Sequence, residues 1–370
     1  MRRILLYLRS LDWIVLSLVG LLITFGLIIL YSLTLNVEYP DIATFHQQAL
    51  FAVLGLILLL VLSIVDYRYL RNFGWILYGI GVVFLLVVLA FGTEIRGAKS
   101  WFVVGGITIQ PVEFVKIFLI VFFAKYFSEH TQDRLSIRHL LVAGFGAGLA
   151  IALIVLQPDL GSALILLALF TAIAILVNVR RSHLLLLLAA FLVGAVMSWF
   201  FLFRDYQRER IRTVFNPSRD PLGIGYNVKQ STVAIGSGGL FGRGLGLGSQ
   251  SRLNFLTEQR NDFIFAVVAE ELGFVGASVL FALFAGLFVR LVVLARRSRD
   301  DFAVYLLFGF CMLFFVQFVM NVGMNVGLMP VIGVPLPFLS AGGSSLISAM
   351  AAIGIIESIA IRQHLFRSRG

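Results

Sequence analysis

The sequence predicts an all-α polytopic membrane protein, and three observations support this prediction. Hydrophobic residues make up 60% of the chain and charged residues 13%, and the mean hydropathy is +0.99. Apolar runs of about 20 residues, the length that a helix needs to cross ~30 Å of hydrocarbon, recur from end to end. Only one long segment, at about 204–262, is rich in polar residues. We therefore expect a single membrane domain over residues 1–370.

About ten segments qualify as transmembrane helices. Open strands are excluded because lipid leaves their peptide groups without hydrogen-bond partners, and the alternation of a barrel strand is absent. The predicted spans are about 13–33, 46–65, 73–92, 111–128, 140–157, 161–179, 184–203, 263–289, 303–328 and 343–361.

The positions of lysine and arginine predict the topology. If the N-terminus is cytoplasmic, the short outer loops carry only Arg96 and Lys99, whereas the inner segments carry many basic residues. Cytoplasmic loops of membrane proteins show this bias. Both termini are therefore expected to be cytoplasmic, and the long loop at about 204–262 is expected to be extracytoplasmic. The net charge of +10 is explained by the same bias and gives no reason to expect a nucleic acid partner.

The long loop combines arginines with glycines. Among Arg208, Arg210 and Arg212, the first and last are four residues apart and would share one face of a helix. Glycines then crowd residues 236–248, where they could bring backbone N–H groups close to phosphate oxygens or form a flexible hinge. A basic, glycine-rich loop at the membrane surface indicates a site for an anionic, lipid-linked substrate.

Ionisable residues inside or beside the spans are candidates for chemistry, because charge is costly in lipid. Glu113 and Lys116 are three residues apart and can pair on one helix face. This pair could fix neighbouring helices, or Lys116 could tune a carboxylate or meet a substrate diphosphate. Asp159 could cap the helix that follows it, or it could point into a cavity.

Asp262 stands where the polar loop enters an apolar helix. It could cap that helix, but its place at the end of the cationic loop favours a general base. Glu258, one turn earlier, could supply a second carboxylate. In one straight helix, Glu270 and Glu271 would lie ~12 Å further into the membrane and would not meet Asp262 directly.

The last outer turn, residues 329–345, is rich in proline and glycine. We expect it to re-enter the membrane, which is tolerated only where the backbone packs on protein or lines a cavity. Asn321 and Asn325 are expected to face the same cavity. Ser340 in this turn is a candidate substrate-binding residue.

No cofactor is identified. Cys311 is the only cysteine, so it cannot form an internal disulfide, and it lacks the neighbours of a metal site. A divalent cation such as Mg²⁺ or Mn²⁺ could lie between outer-face carboxylates and a diphosphate, although no ligand spacing supports one.

Short motifs follow one another over nearly the whole chain: Arg-Gly-Ala at 96–98, Gln-Pro-Val-Glu-Phe-Val-Lys at 110–116, Gln-Pro-Asp-Leu-Gly at 157–161, Asp-Tyr-Gln-Arg at 205–208, Asp-Pro-Leu-Gly at 220–223, Ile-Gly-Ser-Gly-Gly at 235–239, Asp-Phe-Ile-Phe at 262–265, Glu-Glu-Leu-Gly at 270–273 and Gly-Val-Pro-Leu-Pro at 333–337. Their order and spacing resemble the SEDS family (shape, elongation, division and sporulation). Two stretches depart from that family. Residues 257–261 are Thr-Glu-Gln-Arg-Asn, where the family usually has Pro-Glu-x-His-Thr, and residues 340–343 are Ser-Ala-Gly-Gly, where it usually has Ser-Tyr-Gly-Gly.

The resemblance implies peptidoglycan polymerisation from lipid II on the outer face of the bacterial inner membrane, during cell-wall elongation. The implied partners are lipid II, the nascent glycan strand, a class B penicillin-binding protein and other membrane proteins of the elongation complex. The essential aspartate of the family maps onto Asp262, and its paired intramembrane residues map onto Glu113 and Lys116.

For this polymerisation we expect Asp262 to take a proton from the sugar hydroxyl that attacks the donor. We expect the reaction to invert the configuration at the donor carbon. Arg208, Arg210 and Arg212 are expected to stabilise the undecaprenyl diphosphate that leaves. Three alternatives stay open: a lipid II flippase, a non-catalytic scaffold for a penicillin-binding protein, and another polyprenyl-diphosphate glycosyltransferase such as an O-antigen ligase. The further candidates for substrate binding are Glu113, Lys116, Asp159, Glu258 and Ser340.

Overall fold

The computed structural model is built mainly of helices. A π-helical turn, Ser198–Leu202, extends α7. The helices are α1 Trp13–Ser32, α2 Ile42–Ile64, α3 Arg68–Phe91, α4 Val112–His130, α5 Ile137–Leu156, α6 Leu160–Leu176, α7 Arg181–Met197, α8 Asp205–Phe215, α9 Ile224–Ser237, α10 Ser249–Arg252, α11 Ile264–Arg297, α12 Asp301–Asn325 and α13 Gly343–Arg367. The residues that the structure describes are 7, 9–35, 42–95, 97–130, 137–177, 181–203, 205–215, 223–253, 255–256 and 258–367.

Every span predicted from the sequence falls on one of these helices. In the described part of the chain, seven helices are long and apolar enough to cross a membrane by length and composition: α1, α2, α3, α5, α11, α12 and α13. The other three predicted spans correspond to α4, to the shorter α6, and to α7 with its π-helical turn. The predicted class, an all-α polytopic membrane protein, is confirmed. Of the motif residues, Arg96, 220–222 and Thr257 lie outside the described residues. Residues 178–179 of the predicted span 161–179 and residue 204 of the long loop also lie outside them.

The loop between α3 and α4 contains a small antiparallel sheet that the sequence analysis did not predict. Its strands are β1 Thr93–Ile95, β2 Ala98–Val104 and β3 Ile107–Ile109, in the order β1-β2-β3. Gly105 and Gly106 join β2 to β3 with φ angles of 59° and 82°. Two glycines with positive φ form the tight turn that matches the twist of a hairpin.

Helix α4 lies at the centre of the bundle. It packs against α3, α12 and α13, and most of its side chains are buried, including Phe122, Phe123 and Phe127. A helix that is buried all round needs no apolar stripe facing lipid. Glu113 and Lys116 in its first turns are therefore surrounded by protein, where a charged pair can be satisfied.

Helix α11 reverses direction at Gly273, so the predicted span 263–289 is not one straight helix. Gly273 has φ 66° and ψ −161°, a backbone conformation that residues with a Cβ rarely adopt. The rings of Phe265 and Phe281 stack with their centroids 5.7 Å apart. A straight helix would separate these residues by roughly 24 Å, so the chain must fold back between them. Residues 274–297 form the part that continues to the far end of α1.

Contacts with α1 orient this reversal. Ser32 at the end of α1 donates a hydrogen bond to Glu271 (2.6 Å), whereas Asp12 at its start pairs with Arg290 (2.7 Å). Glu271 therefore lies near the end of α1 that is opposite Asp12. The segment before Gly273 runs back from there, which places Asp262 nearer the middle of the bundle. The expectation that Glu270 and Glu271 lie deeper than Asp262 is wrong for this reason.

The glycine run of residues 238–248 supplies hydrogen bonds to the break in α11. An interrupted helix leaves carbonyl and N–H groups without their intrahelical partners. Four backbone hydrogen bonds satisfy them here: Arg243 N–H to Glu270 C=O (2.9 Å), Gly244 N–H to Glu271 C=O (2.9 Å), Phe274 N–H to Gly239 C=O (2.9 Å) and Val275 N–H to Leu240 C=O (3.1 Å).

This contact explains why glycines are needed in the run. A Cβ on Gly238 would lie 1.9 Å from the carbonyl oxygen of Ala269, and one on Gly242 would lie 2.1 Å from that of Glu271. Only a residue without a side chain allows the two backbones to approach this closely. The expected roles of these glycines were phosphate contact or a hinge, and their close packing on α11 was not predicted.

Candidate active site

Asp262 lines a cavity of about 300 Å³ between α2, the small sheet and the turn before α13. The polar wall is formed mostly by amide and hydroxyl side chains, among them Gln47, Gln48, Gln110 and Ser344, and Trp101 adds an aromatic face. Among the described residues that line this cavity, Asp262 carries the only ionisable side chain. Among the described residues that line the cavity, this carboxylate is therefore the one candidate for a general base.

Two asparagines of α12 hold the backbone at Asp262. The Nδ2 groups of Asn321 and Asn325 donate to the carbonyl oxygen of Asp262, at 3.0 Å and 2.9 Å. Asn325 Oδ1 also accepts the N–H of Ala266 at 3.0 Å. Both asparagines are fully buried. They stand behind Asp262 and fix its position, a role that the sequence analysis did not predict.

The turn before α13 enters the bundle as predicted. Leu339 packs so closely on Gly26, in the middle of α1, that a Cβ there would lie 2.7 Å from its Cα. Gly333 in the same turn has φ 70°, and a Cβ on it would lie 3.5 Å from the Oδ2 atom of Asp262. This part of the turn therefore forms the wall beside the carboxylate.

Ser340 ties this turn to the residues before Asp262. Its hydroxyl donates to the carbonyl of Asn261 (2.6 Å) and accepts the N–H of Leu336 (2.8 Å). Gln48 of α2 bonds the same turn through the carbonyl of Ser340 (3.0 Å) and the N–H of Gly342 (3.1 Å). Ser340 is buried, so its visible role is to shape the cavity.

Glu113 and Lys116 form the ion pair that their spacing predicted. The Nζ and Oε1 atoms are 2.7 Å apart, and the side chains are 1% and 4% exposed for Lys116 and Glu113. The helix that carries them begins just after Gln110, whose N–H binds the hydroxyl of Ser344 (3.0 Å). The pair therefore stands one turn behind the cavity wall, next to a residue that lines it.

Asp159 caps α6, which was one of its two expected roles. Its carboxylate accepts the N–H (3.0 Å) and the hydroxyl (2.8 Å) of Ser162. The Nε2 group of Gln110 also donates to it, at 3.2 Å. Asp159 thus reaches the cavity through Gln110, whose orientation it helps to fix.

Glu258 shapes the turn that leads to Asp262. It has φ 61°, in the left-handed region, and its carbonyl accepts the N–H groups of Asn261 and Asp262, both at 3.0 Å. Its carboxylate accepts the side-chain amide of Asn261 at 3.0 Å. These bonds place the carboxylates of Glu258 and Asp262 in one compact turn.

The three loop arginines lie on α8, and Arg208 and Arg212 bind to residues close to them in sequence. Arg208 donates to the carbonyl of Trp199 (3.0 Å), and Arg212 lies 3.4 Å from Glu209 and stacks over the ring of Trp199. Within the described chain, neither they nor Arg210 line the cavity that holds Asp262. The structure therefore does not bring these arginines together with the carboxylate.

The side chains of Glu270 and Glu271 bind other parts of the protein. Glu270 is fully buried and accepts the N–H groups of Gln250 (2.7 Å) and Ser251 (3.0 Å), which caps the short helix α10. Glu271 is 1% exposed and binds Ser32. No group of three or more His, Cys, Asp or Glu side chains is arranged to hold a metal ion among the residues described.

Comparison with known proteins gives a consistent family. The family model for FtsW, RodA and SpoVE, described as "Cell cycle protein", matches residues 12–365. Peptidoglycan glycosyltransferase MrdB of Escherichia coli K12 is 38% identical over 342 residues, which cover 92% of both chains. Stage V sporulation protein E of Bacillus subtilis is 36% identical, over 92% of this chain and 94% of its own.

Solved structures agree with the sequence relatives. A chain from the structure described as "Structural coordination of polymerization and crosslinking by a peptidoglycan synthase complex" matches with a TM-score of 0.80 and 34% identity, over 96% of this chain and 98% of its own. The rod shape determining protein RodA of Thermus thermophilus matches with a TM-score of 0.70 and 29% identity, over 95% and 96% of the two chains. This protein therefore belongs to the FtsW/RodA/SpoVE family, which is the SEDS family that its motifs resemble.

Proposed function

We propose that this protein is a peptidoglycan glycosyltransferase that polymerises lipid II into β-1,4-linked glycan strands. One observation carries the proposal: Asp262 is the only ionisable side chain among the described residues that line this polar cavity, and its backbone is held there from behind. A positioned carboxylate in such a place fits a general base. The relatives named as peptidoglycan glycosyltransferases support the same chemistry.

In the proposed reaction, Asp262 accepts the proton of the 4-hydroxyl of N-acetylglucosamine on the acceptor. That oxygen forms a bond to C1 of N-acetylmuramic acid on the donor, while the bond from C1 to the diphosphate oxygen breaks. The electron pair leaves with undecaprenyl diphosphate, a good leaving group, so a dedicated acid is less necessary than in a glycosidase. Attack from the face opposite an α-linked diphosphate gives a β bond.

The cavity wall suits the uncharged part of these substrates. Sugar hydroxyls and N-acetyl groups are neutral donors and acceptors, which match the side chains of Gln48, Gln110 and Ser344. Trp101 offers an apolar face for a sugar ring. We assign the acceptor sugar to this cavity, with its 4-hydroxyl at Asp262.

The other predicted residues remain supporting parts of the proposal. Glu113, Lys116 and Asp159 stabilise the cavity wall from behind, whereas Glu258 and Ser340 fix the turn before the base. Arg208, Arg210 and Arg212 on α8 are candidates to meet a diphosphate, which requires α8 to approach the cavity when substrate binds.

We further propose that the single membrane domain lies in the bacterial inner membrane, with both termini cytoplasmic and the cavity open to the outer face. The basic residues of the inner segments support this orientation. A class B penicillin-binding protein is the proposed partner, together with other membrane proteins of the elongation complex. The matching chain from a synthase complex that coordinates polymerisation and crosslinking supports that assignment.

The test is to incubate the purified protein with lipid II alone and to separate the products by size. Glycan polymer is the expected result, and an Asp262→Ala variant should make none above background. Translocation of lipid II without polymer would replace the proposal with a flippase, and neither activity would leave a scaffold. Transfer of another polyprenyl-linked glycan in place of lipid II would redefine the substrate.

A further inference from the structure

The cavity around Asp262 lacks a group that its proposed reaction needs. Negative charge builds on the diphosphate as its bond to C1 breaks, and a fixed cation is the usual way to stabilise it. None of the described residues that line the cavity is a lysine or arginine. Of the arginines of α8, Arg208 is engaged with Trp199 and Asp205, and Arg212 with Glu209. A cation for the diphosphate must therefore be sought at the rim of the cavity.

Arg260 lies at that rim, two residues before Asp262. Its Nη1 atom donates to the hydroxyl of Thr44 at 3.2 Å, and Thr44 lines the cavity. Thr44 is in the first turn of α2, whereas Gln48 of the same wall lies one turn further along the helix. The side chain of Arg260 therefore crosses from the turn before α11 to the mouth of the cavity.

The backbone of Arg260 is fixed as well. Its carbonyl accepts the N–H of Ala341 at 2.9 Å, which joins it to the turn that forms the wall beside Asp262. The side chain is only partly buried, so a ligand at the mouth can reach it. A guanidinium has five N–H donors in a planar arrangement, which lets it bind Thr44 and phosphate oxygens together.

We propose that Arg260 binds the diphosphate of the lipid-linked donor at the mouth of the cavity and stabilises it as it leaves. This inference rests on the proposed function. In this arrangement the neutral sugar binds the uncharged wall of the cavity and the anionic diphosphate binds at its rim. The base Asp262 and the cation Arg260 are two residues apart in one turn.

The first experiment removes the charge. Arg260→Gln should lower the rate of lipid II polymerisation about 10–100-fold, because charge-assisted bonds to the departing phosphate are lost. It should also raise the concentration of undecaprenyl diphosphate that half-inhibits the reaction by about 10-fold or more. Arg260→Lys should fall in between, since an ammonium keeps the charge but not the planar fork.

Arg252→Gln is the matched control. Arg252 is an exposed arginine of the same loop, at the end of α10, and its loss removes the same charge. Its polymerisation rate and inhibition by undecaprenyl diphosphate should stay within about twofold of the unmodified protein, which is the scale of a surface change. Equal effects of Arg260→Gln and Arg252→Gln would overturn the inference and leave only a general effect of loop charge.

Arg260→His gives a readout that a purely structural role would not move. Histidine is charged below its ordinary pKa of about 6.5, whereas arginine stays charged throughout. The ratio of Arg260→His activity to that of the unmodified protein should therefore fall as pH rises from about 6 to 8. A ratio that is constant with pH would contradict a role for the charge. If the unmodified protein makes no polymer, the proposed function itself fails, which is a different outcome.

Discussion

Asp262 and Glu270 are two carboxylates of one short segment, and they are used in opposite ways. Glu270 is fully buried and both of its oxygens accept backbone N–H groups of α10. Asp262 is held through its backbone carbonyl, while its side chain opens into the polar cavity. The contacts of Glu270 therefore stabilise the fold, whereas the place of Asp262 at the cavity is what supports its proposed role as a base.

The reversal at Gly273 is what allows this division. It brings Glu270 to the glycine run and turns the start of the same segment toward α12 and the turn before α13. The hydrogen bonds from the glycine run make the break in the helix tolerable, because they satisfy the groups that a continuous helix would pair. The position of the proposed base thus depends on backbone contacts far from it in sequence.

The largest expected effect separates these two acids. Asp262→Asn should lower polymerisation by about 10²–10⁴-fold, the usual contribution of a general base, while thermal unfolding stays close to that of the unmodified protein. Glu270→Gln should do the reverse: it leaves a buried N–H without an acceptor and reduces stability by about 1–3 kcal/mol. Both variants are measured for polymer formation and for unfolding in detergent. Near-normal activity of Asp262→Asn would remove Asp262 as the base.

The second largest expected effect concerns the buried ion pair of Glu113 and Lys116 in α4. Lys116→Met leaves Glu113 as an uncompensated buried charge and is expected to destabilise the protein by about 3–5 kcal/mol. The double variant Glu113→Gln with Lys116→Met should recover most of that loss, as thermal unfolding would report.

The activity of the double variant then decides between the two roles left open for this pair. A folded, active double variant means that the pair only fixes the helices around the cavity. A folded but inactive one means that Lys116 or Glu113 acts on the substrate or on Asp262. An unfolded double variant would contradict the view that charge compensation is what the pair supplies.

The glycine run tests the reversal itself. Gly242 has φ 80°, and a Cβ on it would lie 2.1 Å from the carbonyl oxygen of Glu271, so Gly242→Ala should reduce stability by at least about 2 kcal/mol. Gly236 is the matched control, because no atom lies within 4 Å of its added Cβ and it sits inside α9. Gly236→Ala should be neutral or slightly stabilising. Equal thermal unfolding of the two variants would rule out close packing as the reason for these glycines.

What the sequence could predict follows from the range of each interaction. The spans are set by the length and apolarity of one segment, and the Glu113–Lys116 pair and the Asp159 cap each join residues three apart. The sequence alone could therefore predict all of these features. The reversal at Gly273 depends on partners more than 25 residues away along the chain. A single glycine in an apolar helix gave no sign of it.

Asp262 could be identified as a candidate from the sequence, whereas the residues that hold it beside the cavity could not. Asp262 stood out because a cationic loop ended on it, but the hydrogen bonds from Asn321 and Asn325 to its carbonyl come from another helix. The arginines of α8 were candidates because of their charge alone, and charge does not show whether a side chain reaches the cavity. Arg260 had the same charge, and only its contact with Thr44 distinguishes it.

The smallest expected effect concerns the asparagines behind the base. Asn321→Leu adds no charge to this buried position but loses the amide that donates to the carbonyl of Asp262, at 3.0 Å, while Asn325 still donates to the same oxygen. We expect kcat for polymerisation to fall by up to about 10-fold with little change in KM, because a bond of about 0.5–1.5 kcal/mol that positions the base is lost. Ser231→Ala is the control, since it removes a buried hydrogen bond to the carbonyl of Asn325 (2.7 Å). If both variants lower kcat in proportion to their loss of stability, the asparagine only supports the fold; a larger loss of kcat in Asn321→Leu at equal stability shows that it positions the base.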